Sequence, residues 1–126
     1  MKLLIETRFI IIGLLFIVSV LSGINISKSG KPYNVPVFTI HKIAGLAAIV
    51  LIAIAIYKIQ EPIELKILEL GAIVFTGIFL VSVFISGVLL SINKTVNELI
   101  LTIHKITWIL SMVFTIITVY LLGTVL

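Results

Sequence analysis

The sequence predicts an all-α integral membrane protein, a four-helix up-down-up-down bundle built from two repeated helical hairpins. Three observations predict it. The 126 residues are 61% hydrophobic and 11% charged, with mean hydropathy +1.39, too apolar for a water-facing domain whose surface must carry charge. Four long apolar runs are separated by short polar breaks. The pentapeptide Thr39-Ile40-His41-Lys42-Ile43 returns letter for letter as Thr102-Ile103-His104-Lys105-Ile106, and these segments hold both histidines of the chain.

Composition also excludes. The chain has no cysteine, so disulfides, iron–sulfur ligation and thioether-linked haem are ruled out. Aspartate is absent too, which removes many metal and acid–base schemes. The formal charge of +4 needs no nucleic-acid partner, because lysines flanking membrane spans account for it.

In chain order, the first span is expected over about Ile5–Ile24, with Glu6 and Arg8 at its mouth. Met1-Lys2-Leu3 resembles the start of a signal peptide, but Phe9 to Ile24 is long enough to span and lacks a small-x-small cleavage site, so a retained helix is expected. Asn25 to Val35 reads as a polar loop, and Pro36 suits the first turn of a second helix reaching about Lys58. Gln60-Glu61-Pro62 breaks the chain before a third helix over roughly Glu64–Ser91. After the loop Asn93-Lys94-Thr95, Thr95 with Glu98 reads as a capping box opening a fourth helix that runs essentially to Leu126, leaving no tail. Short loops make neighbouring helices antiparallel.

The repeat is wider than the pentapeptide. His41 and His104 are 63 residues apart; Gly13 and Gly77 are 64 apart, as are Gly23 and Gly87, each of the latter pair preceded by serine. The chain therefore reads as one transmembrane domain over 1–126, with repeat one about 1–60 and repeat two about 64–126. Two hairpins inserted in the same sense are related by an axis along the membrane normal, which places both histidines at one depth on one side.

An ionisable ring in an apolar span is costly and usually faces a partner inside the bundle. If helices two and four lie across a diagonal of roughly 14 Å, two inward imidazoles leave a gap too wide for one small ion and suited to a flat macrocycle. A bare zinc or copper site wants three or four ligands, whereas His41 and His104 are the sole histidines. Axial ligation of haem iron by these two rings is the expectation. Gly45, Ala48 and Ala55 follow His41 along its helix face, and Trp108, Ser111, Thr115 and Thr118 follow His104. Gly23 and Gly87 would leave room for the ring edges. Lys42 and Lys105 would meet the propionates. Each residue also has a plainer reading: the histidines as interfacial rings bonded to a serine, Gly13, Gly23, Gly77 and Gly87 as packing points, the lysines as headgroup contacts, Trp108 and Tyr33 as interfacial anchors. Glu6, Glu61, Glu64 and Glu69 are expected to be solvated.

Ser-Gly on helices one and three with His-Lys on helices two and four resembles the small four-helix b-type cytochromes of membranes. The resemblance implies haem b, electron transfer with a quinone or a redox partner protein, and a quinone-linked oxidoreductase if the chain is an enzyme at all. Many such proteins carry two histidine pairs; the single pair here permits one bis-histidine haem near one face and speaks against electron transfer across the whole membrane. The contrasting expectation is a non-enzymatic membrane anchor or assembly subunit of a larger complex. A transporter with a protonatable histidine pair is disfavoured by the lack of other polar groups at mid-depth. The expected location is the cell membrane, multi-pass in lipid, with positive charge favouring cytoplasmic termini and a haem near the outer face.

Overall fold

The computed structural model describes residues 2–61, 64–93 and 95–125. Pro62, Lys94 and Leu126, which figured in the expected breaks and in the end of the fourth helix, lie outside them. The described residues form four α-helices and no strand: α1 Lys2–Ser29, α2 Val35–Gln60, α3 Ile67–Ile92 and α4 Glu98–Val125. All four are long and apolar enough to cross a membrane. At a rise of ~1.5 Å per residue even the shortest spans about 39 Å, more than a hydrocarbon layer of about 30 Å.

Each helix boundary has a local cause. The first helix outruns its expected end at Ile24 and absorbs Asn25 to Ser29. Polar residues do not break a helix whose end has reached water, and the Ser29 hydroxyl donates to the Asn25 carbonyl at 2.8 Å. The helix stops at Gly30, whose φ of +67° is the left-handed conformation open to glycine; its N–H closes on the Ile26 carbonyl at 3.0 Å. Asn34 then caps α2, its side-chain oxygen accepting from Val37 N–H at 3.2 Å.

The third helix begins at Ile67 rather than Glu64. Lys66 N–H donates to the Glu69 carboxylate at 3.1 Å, and Glu69 is 8% exposed, not solvated as expected. Only the carboxylate half of a capping box forms there, because a lysine side chain has no acceptor to return. The expected Thr95–Glu98 box does not open α4. Asn97 does, its side-chain oxygen accepting from Leu99 N–H at 3.0 Å and Ile100 N–H at 3.2 Å, with Glu98 as the first helical residue beside the positive helix end. A cap must sit immediately before the first helical residue, and Asn97 is that residue.

The chain divides into two compact units, Met1–Ala55 and Ile56–Leu126. In the first, α1 and α2 form a hairpin; in the second, α3 packs along α4. Along α1, Ile10, Leu14, Ile17 and Leu21 make an exposed aliphatic stripe, while Ile12, Ser19, Ser22 and Ile26 are buried. Bulk outward and small or hydroxylated side chains inward is the pattern of helices solvated by lipid, where close approach rather than hydrophobicity drives packing. In the second unit the buried set is markedly polar: Thr76 and Ser86 on α3, Ser111, Thr115 and Thr118 on α4. The expectation that mid-depth polar groups are lacking therefore fails for this hairpin. The hydroxyls of Thr76, Ser86, Ser111 and Thr115 bond back to carbonyls of their own helices, and that of Thr118 pairs with Thr76, which is how they tolerate burial.

Two candidate histidine seats

Seven residues after its asparagine cap, each histidine helix turns an imidazole toward the preceding helix of its own hairpin. In the first unit His41 Nδ1 lies 2.8 Å from the Ser19 carbonyl oxygen and 3.4 Å from Ser22 Oγ. A carbonyl only accepts, so in the neutral ring Nδ1 carries the proton and Nε2 the lone pair. In the second unit His104 Nδ1 lies 2.9 Å from Ser86 Oγ, which is 3.0 Å from the Val83 carbonyl. If that hydroxyl donates to Val83, Nδ1–H of His104 donates to it, and again Nε2 holds the lone pair. Donating to Nδ1 instead would forfeit the Val83 bond.

Ser-Gly explains how the rings come so close. A Cβ built on Gly23 would lie 2.9 Å from His41 Cε1 and 3.2 Å from its Nδ1. At Gly87 it would lie 3.2 Å from His104 Cε1. Each ring thus rests against backbone that only glycine leaves bare, the tighter fit being in the first hairpin. Gly13 and Gly77 differ: a side chain added at either would meet nothing within 4 Å, so neither is a packing point.

The remaining candidate residues divide between the hairpins. Gly45 faces Ser19, whose Oγ would lie 3.4 Å from an added Cβ. Lys42 is exposed and holds its ammonium 4.4 Å over the Phe38 ring. Phe38 meets Tyr33 in a tilted pair with ring centroids 5.0 Å apart, and the Tyr33 phenol is pushed above its ordinary pKa by burial in the connecting loop. Lys105 is exposed, and Trp108 is half-buried one turn beyond His104. Beside Ser86 a groove of about 240 Å³ opens between α3 and α4, lined by Ser82, Ile85, Leu89, Ile100 and Ile103.

The plainer reading of each histidine as bonded to a serine named no particular serine, and Ser86 is that serine at His104. Sequence reasoning missed the Ser19 carbonyl and both asparagine caps. A signal for the caps was present: Asn34 and Asn97 are 63 residues apart, the same offset as the histidines. No main-chain acceptor leaves such a trace. No protein-family model, curated protein or solved structure matches this chain.

Proposed function

We propose that the chain is a membrane b-type cytochrome, binding one haem b through His41 and His104 and transferring electrons with a quinone or a redox partner protein. The observation that carries this reading is the engagement of Nδ1 in both rings, by the Ser19 carbonyl at His41 and the Ser86 hydroxyl at His104; a histidine that ligates metal through Nε2 has its other ring nitrogen held in this way. The donor set fits haem because a porphyrin brings four of the iron's ligands and asks the protein for two. Bound haem would supply a reversible one-electron change at iron.

The chain's own residues would hold and orient it. The Ser19 carbonyl and Ser86 hydroxyl fix the rings, Gly23 and Gly87 let them press on backbone, and Gly45 and Trp108 follow along the same helices. Lys42 and Lys105 would serve as propionate partners, Lys42 sharing or surrendering its place over Phe38. The location proposed with this function is the cell membrane, with cytoplasmic termini. Since the chain has no native cysteine, single cysteines placed in the 30–34 loop and near residue 61 report sidedness by labelling of intact cells.

The test is a visible spectrum of detergent-purified protein, oxidised and then reduced with dithionite, after expression with ample haem. A haem band is expected that His41→Ala and His104→Ala each abolish. Colourless protein would sink the proposal. One observation favours a second reading, a non-enzymatic anchor or assembly subunit: each imidazole already pins its own hairpin, a sufficient structural task. That reading predicts no absorption band and histidine variants that still bind the partner complex.

A further inference from the structure

We infer that the loop end of the first hairpin is a binding site for the phosphate of an anionic lipid, built on Lys42 and the ring pair of Tyr33 and Phe38. Lys42 stands one turn beyond Phe38 on α2, and its ammonium lies 4.4 Å over that ring. Phe38 and Tyr33 are tilted together with centroids 5.0 Å apart, and the Lys31 ammonium lies 5.3 Å over Tyr33. Two cations are thus gathered on one aromatic pair. Lys28, exposed in the last turn of α1, adds positive charge to the same end of the hairpin. The sequence has no acidic residue between Glu6 and Glu61, so no carboxylate side chain in that interval offsets the charge.

Depth identifies the anion. Lys42 lies about 10 Å along α2 from Val35, where that helix starts. Helical side chains lean toward the N-terminus, so the lysine stem snorkels back toward the loop and meets Phe38 there. One and two turns beneath Lys42, Leu46 and Val50 are 51% and 47% exposed. An ammonium above lipid-facing aliphatic side chains meets a headgroup phosphate, and an acyl chain can lie along Leu46 and Val50 below it. A soluble anion would use the charge and leave that apolar track bare. Phe38 also orders the long lysine stem in advance, so binding loses less side-chain freedom. Three N–H donors let Lys42 serve a lipid phosphate beside a haem propionate, so the inference does not rest on the haem reading. The second hairpin lacks the arrangement: Leu101 stands where Phe38 does, Val96 where Tyr33 does, and α4 opens on Glu98 where α2 opens on Val35.

Native mass spectrometry of the full chain in detergent, titrated with phosphatidylglycerol or with phosphatidylcholine, counts the lipids bound. One phosphatidylglycerol is expected to bind at concentrations where phosphatidylcholine does not. Lys42→Met is expected to weaken that binding about five-fold, the loss of one lysine from an anionic headgroup. Phe38→Leu keeps every charge and places at 38 the residue that position 101 already has. It is expected to weaken binding about two- to ten-fold, because the lysine stem must then be ordered by the lipid. Lys105→Met is expected to change binding little. Equal binding of the two lipids would overturn the proposal before any variant is made, which covers a variant that fails to fold. Equal losses in Lys42→Met and Lys105→Met would also overturn it, by reducing both lysines to general headgroup contacts, as would Phe38→Leu protein that binds like wild type. Displacement of the lipid by millimolar inorganic phosphate would assign the patch to a soluble anion instead. A protein that meets these expectations and never shows a haem band keeps the lipid site and loses the cytochrome reading, so the two fail separately.

Discussion

The two hairpins share their histidine ends and part company below them. Each has an asparagine cap, a His-Lys pair two turns later and a Ser-Gly step on the preceding helix. Further from the connecting loop, the first hairpin buries Ile12, Ala48, Ile52 and Ala55; the matching positions of the second hold Thr76, Ser111, Thr115 and Thr118, also buried. Thr76 and Thr118 bond to each other across α3 and α4 at 2.8 Å. Phe114 meets Phe75 at 5.6 Å and Phe79 at 5.1 Å, where the first hairpin has Leu51, Ile11 and Leu15. One copy is therefore joined by aliphatic packing and the other by hydroxyls and rings. What both copies keep is the means of seating an imidazole, and the seams beneath are interchangeable solutions to one packing problem.

Crowding the seats should break this likeness most. Gly23→Ala drives a methyl into His41 and is expected to cost about 1–3 kcal/mol, as overpacking does. Gly87→Ala, where the gap is wider, is expected to cost less than Gly23→Ala. Thermal unfolding of both variants in one detergent checks the order, and equal losses would mean the seats are equivalent. Next come the caps: Asn34→Ala and Asn97→Ala should each cost about 1 kcal/mol, read by the same melts. A double-mutant cycle on Thr76→Val and Thr118→Val should return a coupling near 0.6 kcal/mol and no more than about 1.7. Zero coupling would reduce the hydroxyl pair to packing. The smallest effect belongs to Gly13→Ala and Gly77→Ala, which meet no neighbour and should be neutral or stabilising by up to about 1 kcal/mol through helix propensity.

Much of this architecture was legible in the sequence because lipid imposes a coarse code. Continuous apolar runs, a repeated pentapeptide and paired glycines were enough to place four helices and two hairpins. Boundaries were harder. Asn25 to Ser29 reads as loop because a run of polar residues commonly ends a membrane helix, whereas Gly30 ends it by its backbone conformation. Glu69 looked solvated because carboxylates usually are, and its bond to the Lys66 amide becomes visible only once the helix start is known. Ser22 and Ser86 stand in plain view beside their glycines, but their different distances from the rings, 3.4 Å and 2.9 Å, leave no trace in the sequence.

Asn34 and Asn97 also work as rulers. From either cap to the ring it precedes is seven residues, two turns, an advance of about 10 Å along the axis. Lengthening that interval by one residue would scarcely change how deep the imidazole hangs, yet would swing it about a quarter-turn off its glycine. The distance therefore sets compass bearing more stringently than depth, and a single inserted alanine between cap and ring is a sharper insult than its size suggests.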